Sequence, residues 1–368
     1  MSARPTVIFA GGGTGGHLYP ALAVSEALEA RHPGKADALF LCSNRPLDAT
    51  LLERAGVEFV PLPAAPFGIR PGALLRFARS WPFSVAVVRQ VIVDRKGPVV
   101  MVAVGGFVAA PAAWTAKRLR IPLLMLNLDA APGRANRMIE RFADAKLTTT
   151  PLDRKGFTTI PPIVRTEATA PGPPEVCREK LGLDPGRRTL LVVGGSQGAK
   201  SLNAFVAAFV REHADALEGW QILHQSGDRG DEGAAEAMRE AGVAGEVRPY
   251  LDEIGAAWGA ADLALSRAGA GGVAEAWANA VPTVFAPYPF HKDRHQALNA
   301  KRLAEAGAAA IAEDRVEPEQ NLQSLGEPLL KLLTDDAARD AMREAASELG
   351  PADGAGKVAE AAAFRLGL

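Results

Sequence analysis

The stretch Thr6-Val7-Ile8-Phe9-Ala10-Gly11-Gly12-Gly13-Thr14-Gly15-Gly16-His17 carries the reading of the fold. An apolar, β-branched-rich run passes through five glycines and enters the helical stretch Pro20–Ala30. A strand that turns through glycines into a helix aims backbone N–H groups and a positive helix end at one spot, a setting suited to phosphates. The pattern returns downstream. Thr189–Val193 runs into Gly194-Gly195-Ser196-Gln197-Gly198-Ala199 and then into the helical stretch Ser201–Val210. Two such units predict two α/β domains with a ligand held between them.

The rest of the chain agrees with that reading. Strand-like runs at Val7–Ala10, Leu39–Cys42, Val57–Pro61, Val99–Val104, Pro122–Asn127 and Lys146–Thr150 are mostly separated by helical stretches. A second set follows at Leu190–Val193, Gln221–Gln225, Val247–Pro249, Leu263–Ser266, Thr283–Ala286 and Ala309–Ile311. Short apolar strands alternating with helices predict parallel, doubly wound sheets. Thr166–Pro174, rich in Pro, Gly, Ala and Thr, has a linker composition and marks the boundary. The tail after Pro318 reads as helical and alanine-rich. The halves share a design but no detectable repeat.

Composition narrows the function classes. At 368 residues, two domains are the natural expectation. The hydrophobic fraction of 48% and charged fraction of 23% are those of a globular protein. A net charge of −1 provides no basic field for nucleic acid. The two cysteines, Cys42 and Cys177, form no disulfide framework or zinc spacing, which fits a reducing cytoplasm. No charged n-region followed by an apolar segment opens the chain. Val99–Ala116 is uncharged and long, but Gly105-Gly106 and Pro111 break it into strand, turn and helix.

The glycine loop contains G-x-G-x-x-G, yet the second strand ends in Ser43-Asn44-Arg45 without the acid that a dinucleotide ribose requires. No Gly-Lys-Ser/Thr follows, which excludes a Walker loop. His17, beside a helix N-terminus, is disfavoured as an imidazolium and so suited to act as a general base. Ser196 offers a hydroxyl to a phosphate oxygen or serves as a helix N-cap. Ser266-Arg-Ala-Gly-Ala-Gly-Gly-Val-Ala-Glu275 forms a third strand-to-helix turn. Glu275 in it either accepts two hydrogen bonds from a ribose diol or is an ordinary acid in a helix first turn. His291-Lys292-Asp293-Arg294-His295-Gln296 is a polar cluster after a strand, where α/β proteins bind ligands. Its spacing matches no strong metal motif. Pro66–Val93 mixes Phe67, Ile69, Leu74, Leu75, Phe77 and Trp81 with Arg70, Arg76 and Arg79. It is either an amphipathic patch for an anionic membrane surface or a helix packed on the sheet with solvated arginines.

In order along the chain, the first glycine loop with Pro20-Ala21-Leu22-Ala23, Gly105-Gly106-Phe107-Val108, Arg165, the second glycine loop, Ser266–Glu275 and His291–Asn299 resemble the MurG family. These bacterial glycosyltransferases add N-acetylglucosamine to lipid I, giving lipid II for peptidoglycan. The resemblance implies a GT-B fold, with two Rossmann-like domains across a cleft. It implies an N-terminal acceptor and membrane domain at 1–165, a UDP-sugar domain at 166–345, and a C-terminal helix at 346–368 packing back on the first domain. The implied partners are UDP-N-acetylglucosamine, lipid I and an anionic inner-leaflet surface, with no nucleic acid. The implied location is peripheral, on the cytoplasmic face of the bacterial inner membrane. Neither cofactor nor metal is implied.

By motif position, the resemblance implies that the Leu251 backbone meets the uracil and that Glu275 holds the ribose. Ser196 and the turn Ala270, Gly271, Gly272 and Val273 face the diphosphate, and Ala274 beside them is a further substrate-binding residue. Gln296 hydrogen-bonds donor-sugar hydroxyls, and Arg165 also contacts the donor. Thr14, Gly15, Gly16 and His17 face the acceptor, near its pyrophosphate and reacting hydroxyl. His17 is the expected base.

The chain departs from the family pattern in three places. Leu126-Asn127-Leu128-Asp129 stands where His-Glu-Gln-Asn is usual, although Gly133 and Asn136 follow as expected. Asp129 thus replaces an amide that donates and accepts with a carboxylate that only accepts, or that itself serves as the base. Pro162-Ile163 stands where Asn-Pro is usual before the arginine, and Gly271-Gly272 where larger residues are common. The alternatives are a related GT-B transferase with another donor or lipid acceptor, a UDP-sugar epimerase, and an inactive UDP-binding subunit. A donor screen, a search for 2-epimerised product or free UDP, and binding without turnover separate them.

Overall fold

The computed structural model describes residues 4–195, 198–228, 230–290 and 294–368. The chain divides into two compact units, Met1–Arg165 with Asp353–Leu368, and Thr166–Ala352.

The first unit runs β1 (Thr6–Ala10), α1 (Gly15–Arg31), β2 (Asp37–Ser43), α2 (Pro46–Arg54), β3 (Glu58–Leu62), α3 (Pro71–Asp94), β4 (Val99–Ala103), α4 (Gly106–Arg118), β5 (Leu123–Asn127), α5 (Arg134–Ile139), β6 (Ala145–Thr148) and β7 (Phe157–Thr159). All strands pair in parallel, in the order β3-β2-β1-β4-β5-β6-β7. β1, β4 and β5 are buried along their whole length, as expected for strands covered on both faces. Val99–Ala116 resolves into β4, the turn at Gly105 and most of α4. Among the described residues, no helix is long and apolar enough to cross a membrane.

The second unit runs α6 (Pro174–Leu181), β8 (Arg188–Val193), α7 (Lys200–Glu212), β9 (Trp220–Gln225), α8 (Ala234–Glu240), β10 (Ala244–Arg248), α9 (Ile254–Ala260), β11 (Leu263–Ser266), α10 (Ala270–Ala278), β12 (Thr283–Phe285), α11 (His295–Glu305), β13 (Ala309–Ile311), α12 (Pro318–Asn321), α13 (Glu327–Thr334) and α14 (Asp336–Glu348). Its sheet is parallel, in the order β10-β9-β8-β11-β12-β13. One core cluster centres on Leu202, Phe205 and Trp220, another on Trp258, Ala264 and Phe285.

The last helix, α15 (Gly354–Leu366), belongs to the first unit. It begins at Gly354 rather than at 346, and Ala346 on α14 stays in the second unit's core. The physical reason lies in Gly350-Pro351, which ends α14, and in a pair of glycines that seat α15. A Cβ on Gly354 would stand 2.1 Å from the Pro161 carbonyl oxygen, and one on Gly356 would stand 2.0 Å from the Arg31 guanidinium. Arg31 of α1 reaches through that gap to Asp353 at 2.7 Å and Glu360 at 2.9 Å.

In each sheet the strand order reverses once, between β1 and β4 and between β8 and β11. Open α/β sheets bind ligands at the carboxyl ends of the strands flanking such a reversal. Both glycine loops lie there.

Candidate active site

In the first unit the chain leaves β1 through Gly12 (φ +155°) and Gly13 (φ +87°). Asp48, fully buried on α2, accepts from the Gly13 N–H at 2.8 Å, the Ser43 N–H at 3.0 Å and the Ser43 hydroxyl at 2.7 Å. The Arg45 guanidinium donates to the Gly13 carbonyl at 2.5 Å and lies over the Phe107 ring. A Cβ on Gly13 would be 2.8 Å from that ring. The loop is therefore clasped by side chains of the β2–α2 segment and α4.

His17 occupies the first turn of α1, which begins at Gly15, earlier than the Pro20 expected from sequence. Thr14 Oγ1 lies 3.1 Å from its Nδ1. The ring is received by Gly105 (φ +126°) and Gly106 (φ +76°) after β4. A Cβ on Gly105 would be 3.1 Å from Nε2, and one on Gly106 would be 3.2 Å from Nδ1 and 2.4 Å from the Gly12 carbonyl oxygen. Burial lowers the His17 pKa below the ordinary 6.5; the Asp129 charge, a hydrogen bond to the Gly12 backbone and the Asp48 charge oppose it. His17 is thus a neutral imidazole at pH 7 with the Asp129 carboxylate in electrostatic range. The two candidate catalytic groups come together.

Asn127 supports Asp129 by donating to its main-chain carbonyl at 2.6 Å, and Asn136 donates to Asn127 Oδ1 at 3.3 Å. The Oδ1 of Asn136, itself buried, has no hydrogen-bond partner. Thr14 and Gly16 are exposed and Gly15 is half-buried. Arg165 lies over the Tyr19 ring of α1, its Nε 3.6 Å from Glu26 Oε1.

In the second unit, Ser196 and Gln197 lie outside the described residues, as do His291, Lys292 and Asp293. Gly198 (φ +69°) closes the loop with its N–H on the Gly195 carbonyl at 2.8 Å. A Cβ there would fall 2.1 Å from the Ser226 carbonyl oxygen. Ala270, Gly271 and Gly272 open α10, whose first-turn N–H groups have no intrahelical acceptor. Val273 and Ala274 play a different part from these three. Both side chains are buried, and the Val273 N–H is spent on the Gly269 carbonyl. Leu251 is likewise a core side chain, leaving its backbone as the polar face.

Glu275 accepts at Oε2 from the indole N–H of fully buried Trp258, 2.8 Å away. Burial raises the Glu275 carboxyl above the ordinary 4.5, and the Trp258 hydrogen bond works against that rise. Gln296 Oε1 accepts from the Tyr288 N–H at 2.8 Å, which leaves its amide N–H groups for other acceptors.

Sequence reading missed the frame behind these residues. Arg267, buried at the end of β11, pairs with buried Asp314 at 2.7 Å and donates to Ser201 Oγ at 2.8 Å and the Ala286 carbonyl at 2.9 Å. Burial works to raise the Asp314 carboxyl. The Ser201 hydroxyl, Arg267, Asn321 and the Val316 N–H overcome it and hold Asp314 below its ordinary range. His224, fully buried, has its Nε2 3.0 Å from Asn203 Oδ1, and Asn203 donates to the Ser226 and Gly230 carbonyls. Among the described residues, no group of three or more His, Cys, Asp or Glu side chains is placed to hold a metal. Cys42 and Cys177 are buried free thiols, and burial pushes Cys42 up to about 12.

Two parallel α/β units, each with a glycine loop at its sheet's reversal point, make up a GT-B fold. The N-terminal domain of glycosyltransferase family 28 matches residues 7–148, and the C-terminal domain of that family matches residues 189–359. A protein of Clavibacter sepedonicus named UDP-N-acetylglucosamine--N-acetylmuramyl-(pentapeptide) pyrophosphoryl-undecaprenol N-acetylglucosamine transferase is 38% identical over 96% of this chain and 94% of its own. One of the same name from Desulforudis audaxviator is 36% identical over 94% of each chain. The crystal structure of Acinetobacter baumannii MurG superposes with a TM-score of 0.72 at 26% identity, covering 98% of this chain and 99% of that one. The chain belongs to the MurG family of glycosyltransferase family 28.

Proposed function

We propose that this enzyme transfers N-acetylglucosamine from UDP-N-acetylglucosamine to undecaprenyl-pyrophosphoryl-N-acetylmuramyl-pentapeptide, forming lipid II with inversion at the anomeric carbon. The carrying observation is His17, held neutral by burial, clasped by Gly105 and Gly106 and faced by the Asp129 charge at the first reversal point. The acceptor hydroxyl attacks the anomeric carbon, its oxygen forms the new glycosidic bond, and the bond to the UDP oxygen breaks. His17 takes the hydroxyl proton, contributing roughly 10²–10⁴-fold. Asp129 keeps the resulting imidazolium favourable. Charge developing on the departing diphosphate is met by Ser196, by the first-turn N–H groups of Ala270, Gly271 and Gly272, and by Arg165. The Leu251 backbone reads the uracil. Glu275 takes the ribose through Oε1, since Trp258 occupies Oε2. Gln296 donates to the donor sugar.

The face carrying exposed Phe67, Ile69, Leu74, Leu75 and Phe83 beside Arg76 and Arg79 rests on the anionic inner leaflet, which makes the enzyme peripheral on the cytoplasmic side. The test is titration calorimetry with UDP-N-acetylglucosamine, UDP-glucose and UDP-N-acetylgalactosamine, followed by turnover of lipid I. Preference for the first donor and release of UDP with lipid II are expected. Equal or reversed preference would mean that Asp129 has re-cut the donor pocket.

A further inference from the structure

Beside the first glycine loop lies a cleft of about 410 Å³ that the chemistry above does not use. Arg45, Arg76, Phe67, Ala73, Asn44 and Phe107 are among its lining residues, and no carboxylate is. Its position is defined at both ends. At one end, Phe107 and Arg45 touch Gly13, and Phe107 directly follows the Gly105-Gly106 pair that receives His17. At the other end, Phe67, Ala73 and Arg76 belong to the entry of α3, where Ile69, Leu74 and Leu75 are exposed.

The cleft is lined by two guanidinium groups, one of them held in place. Arg45 is held by its bond to the Gly13 carbonyl and by the Phe107 ring. Outside the lining itself, the Arg134 guanidinium lies 6.0 Å from the centroid of the Phe67 ring. Among the described residues, no carboxylate lies within ion-pair distance of Arg45, Arg76 or Arg134. Guanidinium groups that line one cleft together with apolar side chains suit a multiply charged oxyanion attached to an apolar chain.

We infer that this cleft binds the diphosphate of a prenyl-diphosphate-linked acceptor, clamped by Arg45 and Arg76. The inference rests on the proposed acceptor class and assigns its charge to side chains rather than to the start of α1 alone. In such an acceptor the diphosphate joins the lipid chain to the sugar. A ligand whose chain lies on the apolar face of α3 and whose sugar reaches His17 must carry its diphosphate through the segment between them. The cleft occupies that segment.

The probe is geranyl diphosphate, short enough to be used without vesicles, titrated into the full chain by calorimetry. Wild type binds it, and Arg45→Gln and Arg76→Gln each weaken binding at least tenfold. Ala73→Glu, which leaves the Arg45–Gly13 clasp intact and places a carboxylate in the cleft, abolishes binding. UDP-N-acetylglucosamine binding is unchanged in all three. Equal affinity for geranyl diphosphate in wild type and variants overturns the clamp, as does no binding by wild type. Loss confined to sedimentation with phosphatidylglycerol vesicles also overturns it and assigns the arginines to lipid headgroups. A wild type that binds geranyl diphosphate but not UDP-N-acetylglucosamine would leave the clamp standing and sink the proposed donor.

Discussion

The first glycine loop is held by side chains, whereas the described residues of the second, Gly194, Gly195 and Gly198, meet mainly main chain. Asp48 accepts from Gly13 and Ser43, Arg45 grips the Gly13 carbonyl, and Phe107 fills the space a Cβ would need. In the second unit, Gly198 lies against the Ser226 carbonyl, and a Cβ on Gly194 would fall 2.8 Å from the Ala199 nitrogen. Among the described residues, side chains enter from behind, where His224 and Asn203 hold the end of β9. The contrast has a chemical meaning. A loop that serves a reacting hydroxyl is shaped by groups that also set charge and protonation around it. On the proposed reading the second loop serves a diphosphate, which needs backbone N–H groups fixed and little else.

The largest effect that bears on this contrast comes from His17→Ala. A fall in kcat of about 10²–10⁴-fold is expected, with UDP affinity by calorimetry unchanged. Paired glycine substitutions come next. Gly106→Ala drives a Cβ into the Gly12 carbonyl and crowds His17, so kcat is expected to fall on the order of 10²-fold. Gly198→Ala collides with Ser226 and is expected to act on UDP affinity instead. If both variants changed the same kinetic parameter, the division of labour between the loops would be lost.

Asp48→Ala leaves the Gly13 and Ser43 donors unsatisfied and is expected to cost about 2–4 kcal/mol of first-unit stability, read by melting, with UDP binding retained. His224 makes the matching test in the second unit. Burial holds its pKa near 4, against an ordinary 6.5. The unfolded state therefore binds the proton first, and stability is full above pH 6.5 and declines as pH falls toward 4. The expected loss is about 3 kcal/mol. His224→Gln should flatten the melting temperature between pH 7 and 4.5; an unchanged slope would assign the acid sensitivity elsewhere.

The smallest effect is the most diagnostic. Asp129 raises the His17 pKa, so Asp129→Asn should move the acidic limb of the kcat/KM profile to lower pH. In the wild type that limb is expected below pH 6.5, since burial lowers the His17 pKa. A limb that stays in place would separate Asp129 from the base.

Much of the fold was legible because buried parallel strands are short apolar runs. Leu263–Ser266 and Ala309–Ile311 match the observed strands residue for residue. Phe157–Thr159 was missed because three residues after Gly156 carry no period. The start of α1 was misplaced because Gly15 and Gly16 read as loop and Pro20 as a first helical residue, although the helix contains all three. At the site, the glycines, His17 and Glu275 stood out by type and spacing, whereas Asp129 stood out only as a departure from the pattern of the family the chain resembles. Asp48 did not, since an acid just after Pro46 looks like any helix-start carboxylate. Trp258 was hidden in an apolar helix, and its indole N–H shows its purpose only once Glu275 is folded against it. Arg267 and Asp314 lie far apart in sequence, and no local pattern pairs them.

The seat of α15 sets an order of events during synthesis. Arg31 waits for Asp353 and Glu360, which the ribosome adds only after the whole of Thr166–Ala352. The unit begun first is therefore finished last, and until then it displays the bare flank of α1. A nascent chain stalled before Gly354 would carry a complete second unit and an unfinished first one, a state in which chaperone capture or proteolytic trimming falls on the half that bears His17.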